Sequence, residues 1–216
     1  MRFKAVFFDL DGTLANSLED LAVGVNHVLE TNGFPKHDVS EFKYFAGNGI
    51  PVMIRRALPK GTDEKTTEKL KNEFLEYYSK HYCDNTRAYD GLVDVAEHLK
   101  NAGMKIAVVT NKAQNMAELV VKKLFGDTFD LVIGMKPDVP AKPDPTAVLS
   151  AMRALNIDPC DCAFVGDTSV DICTGVNSGA FPVGVLWGFR TRQELVEAGA
   201  EEIAETALEL ENILIG

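Results

Sequence analysis

The feature that most constrains the fold is an alternation, from Ala88 onward, of short apolar runs with segments of helical periodicity. The predicted helices cover 91–102, 116–124, 146–155 and 170–178. The predicted buried strands are KIAVVTN (105–111), DLVIG (130–134), CAFVG (162–166) and PVGVLW (182–187). Short apolar strands that are joined by helices are typical of a parallel sheet covered by helices on both faces. The sequence therefore predicts an α/β fold.

One further apolar strand, residues 3–8, is separated from this series by an insertion of different character. The insertion has prolines and glycines between its helical segments and no convincing strand. Its predicted helices cover 18–31, 50–58 and 64–82. Both ends of the insertion return to the same edge of the core, as in a lid over the carboxyl ends of the strands. We predict a core of residues 1–14 and 89–216 and an α-helical cap domain of residues 15–88.

Composition excludes several classes of function. A net charge of −10 argues against a broad surface for nucleic acid or anionic membrane, because such a surface needs clustered Lys and Arg. The apolar run near the N-terminus ends at Asp9, too early for a signal peptide, and no later segment is long enough to span a bilayer. We expect a cytoplasmic protein whose four cysteines are reduced thiols.

The stretch VFFDLDGTLANS (6–17) runs an apolar strand directly into Asp9 and Asp11. At positions i and i+2 the two carboxylates can lie on the same side of the strand, where they repel each other unless a cation lies between them. A turn with two solvated acids is the alternative interpretation. The choice depends on the other strand ends.

Polar side chains follow those strand ends too. Thr110 and Asn111 stand at the end of the second predicted strand, Lys142 follows the third, and Asp167 and Asp171 follow the fourth. Because loops at the carboxyl ends of parallel strands converge, we expect these side chains in one pocket. Each loop taken alone has a simpler explanation, namely a strand end, a solvated lysine or an ordinary helix cap.

Taken together, these residues suit phosphate chemistry. Clustered carboxylates with carbonyls nearby form an oxygen-only site, which suits Mg²⁺ and can hold a phosphate oxygen. Lys142 and the Thr110 hydroxyl could contact the other phosphate oxygens. Asp9 could attack phosphorus to form an aspartyl-phosphate, and Asp11 could protonate the leaving alkoxide and later take a proton from water.

DLDGT, the VVTN strand end, the lysine of AKPDP and GDTSVD resemble the four motifs of the haloacid dehalogenase superfamily. The resemblance implies a Rossmann-like core in which Asp9 is the nucleophile and Asp11 the general acid/base. It implies that Thr110, Asn111 and Lys142 bind the phosphoryl group. It also implies that Mg²⁺ is held by the residues Asp9, Asp11 (through its main-chain carbonyl), Asp167 and Asp171 (in a supporting role).

An acid at position 11 favours phosphatases and phosphomutases within this superfamily. The segment AGNGIPVMIRRAL (46–58) resembles the cap of the phosphoglycolate phosphatase branch, and GVLWGF (184–189) resembles its C-terminal region. Gly47 and Gly49 would let backbone amides approach a substrate, and the Arg56 fork would suit its carboxylate. A solvated surface residue is the alternative for Arg56.

The sequence thus predicts a Mg²⁺-dependent phosphatase of a small phosphorylated metabolite, most simply 2-phosphoglycolate. A phosphomutase or a pyrophosphatase of the same superfamily, or a regulator that binds a phosphometabolite without turnover, are the alternatives. We expect a monomer or homodimer that binds neither nucleic acid nor membrane.

Overall fold

The computed structural model describes residues 2–216, which form two compact units, residues 2–16 with Ala88–Gly216 and Ser17–Arg87. The strands within the described residues are β1 Ala5–Phe8, β2 Ala15–Asn16, β3 Arg87–Ala88, β4 Lys105–Ala113, β5 Leu131–Met135, β6 Cys162–Gly166, β7 Phe181–Val185 and β8 Glu202–Ala204. The helices are α1 Leu18–Thr31, α2 Phe42–Phe45, α3 Ile50–Ala57, α4 Glu64–His81, α5 Leu92–Asn101, α6 Gln114–Phe125, α7 Thr146–Leu155, α8 Ser169–Ser178, α9 Arg192–Glu197 and α10 Ala207–Ile215, with 3₁₀ turns at Val39–Glu41 and Pro159–Asp161.

The larger unit is built on a parallel sheet whose strand order is β5-β4-β1-β6-β7-β8, and β2 pairs separately with β3. Every residue of β1 and of β6 is buried. Because successive residues of a strand point to opposite faces, both faces of the sheet are covered at its centre. On one face, Phe7 and Phe164, which are register partners, pack with Val148 of α7. This confirms the predicted α/β fold with a Rossmann-like parallel sheet.

The strand order places a topological switch point at β1 and β6. From the larger unit's first strand, β1, the chain adds β4 and β5 on one side and then returns to add β6 on the other side. Loops that leave β1 and β6 therefore diverge, and a crevice opens beyond their carboxyl ends. Asp9 follows β1 directly and Asp167 follows β6 directly.

The smaller unit, Ser17–Arg87, is helical. Its core forms where α1 lies against α4, with Leu70, Phe74 and Tyr78 fully buried. Gly24 permits the close approach of the two helices, because a Cβ at this position would lie 2.9 Å from the Phe74 ring. The buried face of α4 therefore packs against a position of α1 that has no side chain.

Several element boundaries differ from the sequence prediction. The first strand begins at Ala5 and not at residue 3, and β7 ends at Val185, before Trp187. β4 continues to Ala113, two residues beyond the predicted end of the strand at Asn111. The sequence analysis assigned no elements to the segment that forms α9, β8 and α10. In the described residues, none of the helices has both the length and the apolar character needed to cross a membrane.

Candidate active site

The loop after β1 is shaped to expose two carboxylates. The Asp9 amide still donates to Val165 O at 2.9 Å, so the ladder to β6 fixes the backbone at the first acid. Gly12 then has φ of +93°, a conformation that favours glycine. A Cβ at Gly12 would also lie 2.3 Å from an oxygen of Asp167. The DLDGT turn can therefore close against the loop after β6 only with glycine at this position.

Three acids from two of these loops meet at the carboxyl edge of the sheet. Asp9, Asp167 and Asp171 are buried, and one oxygen of each lies within 4.8 Å of the others. Asp171 lies in the first turn of α8. The N-cap of this helix is Thr168, whereas the simpler explanation of an ordinary helix cap had Asp167 in that role. The structure thus brings Asp9 together with two acids that lie more than 150 residues further along the sequence.

Lys142 lies among these acids. Its Nζ donates to Asp9 Oδ1 and to Asp171 Oδ1, each at 2.7 Å, and its side chain is 2% exposed. The other oxygen of Asp171 accepts the amide and the hydroxyl of Thr168, at 3.0 and 2.7 Å. Lys142 is therefore not the solvated lysine of the simpler explanation, because it pairs with two buried carboxylates.

Asn111 holds the backbone of Lys142 in place. Its Oδ1 accepts the Lys142 amide at 2.9 Å, and its Nδ2 donates to the Lys142 carbonyl at 3.2 Å. Such a two-way amide pair fixes the position from which the lysine side chain extends. The predicted contact of Asn111 with phosphate stays a prediction.

A local irregularity of β4 presents Thr110, Asn111 and Lys112. Val109 pairs with Ile133 and Ala113 pairs with Met135, so the register with β5 shifts between these pairs. More residues therefore span this interval on β4 than on β5, as in a β-bulge. Thr110 and Asn111 remain part of the strand, and within the bulge Asn111 contacts the backbone of Lys142 while Lys112 contacts Asp11.

The sequence analysis missed Lys112, which the structure places beside Asp11. Its Nζ donates to both oxygens of the Asp11 carboxylate, at 2.9 and 3.1 Å. The lysine side chain is 2% exposed and the aspartate side chain 17%. The signal in the sequence is a lysine directly after the VVTN motif.

Asp167 is enclosed by residues whose roles the sequence analysis did not identify. Its Oδ1 accepts the Thr13 hydroxyl at 2.8 Å and its Oδ2 accepts the Phe189 amide at 2.8 Å. A Cβ at Gly188 would lie 2.3 Å from the Cβ of Asp167. Trp187, in turn, donates its indole N–H to Thr13 O at 2.9 Å. The GVLWGF segment therefore wraps the carboxylate and ties it to the turn after β1.

The electrostatics of the site are those of crowded negative charge. Burial raises the pKa of Asp9 to about 6, although the Lys142 ammonium opposes the rise. Burial, with the charges of Asp171 and Asp9, raises the pKa of Asp167 well above its usual range. Burial alone would lower the pKa of Lys142, but the Asp171 and Asp9 carboxylates outweigh it and raise that pKa.

This charge pattern fits a divalent cation. The four site acids outnumber the two buried lysines by two, so the acids stay in excess even when Asp11 carries a proton. An oxygen-only donor set with that excess charge matches Mg²⁺ and does not match zinc or copper. The side chains that could hold the ion are those of Asp9, Asp167 and Asp171. The Asp11 carboxylate pairs with Lys112, so the group of Asp11 expected at the metal is its main-chain carbonyl and not its side chain.

The predicted cap residues lie in the helical unit. Gly47 and Gly49 have φ of +105° and +85° in the loop before α3, so both need glycine. Arg56 is exposed, and one nitrogen of its guanidinium donates to Tyr44 O and Phe45 O, both at 3.1 Å. Arg55 is also exposed and pairs with Glu64. The predicted contacts of Gly47, Gly49 and Arg56 with substrate stay predictions.

Comparison with known proteins agrees with the architecture. Residues 6–185 match the family of haloacid dehalogenase-like hydrolases. The chain is 33% identical over 200 residues to phosphoglycolate phosphatase 1 of Pseudomonas aeruginosa, covering 90% of this chain and 73% of that protein. It is 30% identical over 216 residues to N-acetylmuramic acid 6-phosphate phosphatase of the same organism, covering 99% and 96%. A crystal structure from Lactobacillus delbrueckii subsp. bulgaricus superposes with a TM-score of 0.95 at 29% identity, covering 99% of each chain.

The chain therefore belongs to the haloacid dehalogenase-like hydrolase family. Within that family it is a phosphatase-type enzyme, since curated relatives about 30% identical over most of its length are phosphatases. This confirms the predicted family and enzyme class.

Proposed function

We propose that this enzyme is a Mg²⁺-dependent phosphatase of a small phosphorylated metabolite and works through an aspartyl-phosphate on Asp9. The observation that carries the proposal is the buried arrangement of acids and lysines at the switch point of the sheet. Asp9, Asp167 and Asp171 share one centre of carboxylate oxygens, and with Asp11 the acids outnumber the two buried lysines. When bound, Mg²⁺ would neutralise the acids and orient a phosphate oxygen.

The residues of the chain divide the chemistry among them. Lys142 holds Asp9 Oδ1 at 2.7 Å and so orients the carboxylate that attacks phosphorus. The attack transfers the phosphoryl group to Asp9 and breaks the bond to the leaving oxygen, which takes a proton from Asp11. Asp11 then accepts a proton from the water that attacks the aspartyl-phosphate, which releases phosphate and restores the Asp9 carboxylate. Thr110 and Lys142 would contact the phosphoryl oxygens.

Two relatives supply the candidate substrates. One is named for phosphoglycolate and the other for N-acetylmuramic acid 6-phosphate, and both compounds carry a carboxylate besides the phosphate. We place phosphoglycolate first, because several further relatives carry the same name. Gly47, Gly49 and Arg56 of the helical unit, as a cap domain, would recognise the carboxylate end. We further propose a cytoplasmic monomer or homodimer.

The test is a panel of phosphorylated metabolites that contains both compounds, sugar phosphates and pyrophosphate, assayed with Mg²⁺ and with a chelator. We expect Mg²⁺-dependent release of phosphate with the highest kcat/KM for phosphoglycolate. A preference for N-acetylmuramic acid 6-phosphate would change the substrate and leave the chemistry standing. In ¹⁸O-labelled water a phosphatase incorporates solvent oxygen into phosphate, whereas a phosphomutase returns the phosphoryl group to a sugar. Absence of turnover with every ester would favour a binding regulator.

A further inference from the structure

Lys112 is a buried cation that the proposed chemistry leaves without a role. Its side chain is 2% exposed, and an ammonium is costly to bury unless it is paired. The pairing here is with both oxygens of Asp11, at 2.9 and 3.1 Å. The buried charge of Lys112 is therefore paired with Asp11, the residue that we assign to proton transfer.

The lysine also lies deeper in the protein than the carboxylate it contacts. The Asp11 side chain is 17% exposed and the Lys112 side chain 2%, so the ammonium supports the carboxylate from the protein side. Contact with both oxygens restricts the rotation of the carboxylate more than a single hydrogen bond would. The open side of Asp11 is where a leaving oxygen or a water would need to approach.

The backbone that carries Lys112 is itself fixed. The pairing of β4 with β1 ends at Val108, and the pairing with β5 resumes at Ala113, directly after Lys112. The Lys112 amide donates to the Thr110 hydroxyl at 3.2 Å. One bulge therefore presents a predicted phosphate contact and a support for the acid/base residue.

We propose that Lys112 is a positioning residue for Asp11, holding its carboxylate in line with the leaving oxygen and then with the attacking water. The proposal rests on the proposed function, because it needs Asp11 to transfer the proton. The lysine itself gains and loses no proton in the cycle. Asp11 gives its proton as the bond between phosphorus and the leaving oxygen breaks, and regains one from the water that attacks the aspartyl-phosphate.

Leaving-group chemistry separates this role from a merely structural one. An alkyl phosphate releases a poor leaving group that needs the proton, whereas p-nitrophenyl phosphate releases a stable phenolate that hardly needs it. Loss of general-acid positioning therefore slows the first ester more than the second. A general disturbance of the site slows both esters equally.

The experiment measures kcat for phosphoglycolate and for p-nitrophenyl phosphate in the wild type, Lys112→Met, Lys112→Arg, Asp11→Asn and the double variant. For Lys112→Met we expect a loss on phosphoglycolate that exceeds its loss on p-nitrophenyl phosphate by about tenfold or more. Lys112→Arg should recover most of that difference. The double variant should be no slower on phosphoglycolate than Asp11→Asn, because both substitutions remove one function.

Lys105→Met is the matched control, since Lys105 is an exposed lysine of the same strand that pairs with Asp130. We expect it to alter neither rate. Equal losses on the two esters for Lys112→Met, or additive losses in the double variant, would overturn the proposal while leaving the proposed function intact. If the wild type hydrolyses neither ester, the proposed function itself fails. Should Lys112→Met not fold, Lys112→Gln, which keeps a donor and loses the charge, decides by the same ratio of the two losses.

Discussion

Buried aspartates serve opposite purposes in the two units. In the helical unit, Asp20 accepts hydrogen bonds from the amide and side chain of Asn85 and from the amide and hydroxyl of Thr86, at 2.6 to 3.1 Å. In the larger unit, Asp9 and Asp167 share their surroundings with further acids. Asn85 and Thr86 are neutral donors to Asp20, whereas Asp9 and Asp167 also lie close to other acids.

The pKa values express the same contrast. Burial by itself would raise the pKa of Asp20, but the hydrogen bonds from Thr86 and Asn85 outweigh it and lower that pKa. Burial and neighbouring acids raise the pKa of both Asp9 and Asp167. The hydrogen bonds of Asp20 outweigh the effect of burial on its pKa, whereas the partners of Asp9 and Asp167 do not outweigh burial and like charge. Each prediction below tests one side of this difference.

The largest expected effect is that of Asp9→Asn on turnover. An amide cannot attack phosphorus, so kcat for every phosphate ester should fall by about 10⁴-fold or more. The fold should persist, because the substitution removes one charge from a crowded site. Steady-state assays and circular dichroism measure the two quantities. Asp94→Asn, at an exposed position of α5, is the control, and turnover that survives in Asp9→Asn would contradict the proposed mechanism.

The acids of this first prediction were accessible from sequence because of where they stand. Loops at the carboxyl ends of parallel strands converge, so the positions after the predicted strands were enough to expect Asp9, Lys142, Asp167 and Asp171 in one pocket. Asp20 gave no such signal. Its donors are 65 and 66 residues away in the chain, and the first turn of a helix explains an acid there without them.

Details that depend on side-chain contacts or on irregular backbone could not be predicted. The strand was expected to end at Thr110 and Asn111, because polar residues are typical of a strand end, but it continues through a bulge to Ala113. The pairing of Lys112 with Asp11 joins residues 101 positions apart, and no local pattern specifies it. The C-terminal strand β8 is three residues long and begins with a glutamate, so it lacks an apolar run.

Next in size is the stability cost of Asp20→Ala. The substitution leaves the amide and hydroxyl of the buried Thr86 without their charged acceptor and removes the acceptor of Asn85, so we expect the free energy of unfolding to fall by about 3 kcal/mol. Chemical denaturation measures it. Glu19→Ala, at an exposed position of the same helical turn, is the matched control and should change stability by less than about 0.5 kcal/mol. Equal effects at the two positions would remove the contrast between the units.

Metal binding should stabilise the larger unit through the acids that repel one another. At Mg²⁺ a hundredfold above its dissociation constant, the free energy of unfolding of the wild type should rise by about 2.7 kcal/mol. Asp167→Asn should be more stable than the wild type in chelator by about 1 kcal/mol and should gain little from Mg²⁺. Thermal unfolding with and without Mg²⁺ provides the measurement. A variant less stable than the wild type in chelator would mean that the acids do not repel strongly.

Acid should weaken the contribution of Asp20. Because its folded pKa lies below the unfolded value of about 3.9, its stabilisation is complete above that value and disappears as the pH falls through the folded pKa. The difference in unfolding free energy between the wild type and Asp20→Ala should therefore shrink when the pH is lowered from about 6 to about 3. Denaturation curves of both proteins across this range measure it. A difference that stays constant or grows would contradict the lowered pKa.

The smallest expected effect is on stability at the two adjacent arginines of α3, which lie on the surface of the helical unit. Arg55 pairs with Glu64, and such exposed pairs contribute about 0.5 kcal/mol or less. Arg56 donates to two main-chain carbonyls that end α2, so Arg56→Met should cost somewhat more, about 1 kcal/mol.

If the proposed recognition of the carboxylate is correct, Arg56→Met should also raise KM for phosphoglycolate about tenfold while sparing KM for p-nitrophenyl phosphate, which has no carboxylate. Arg55→Met, the matched control, should leave both KM values in place. An unchanged KM in Arg56→Met would limit this arginine to supporting the loop before α3, so that the charges of the helical unit would serve structure alone.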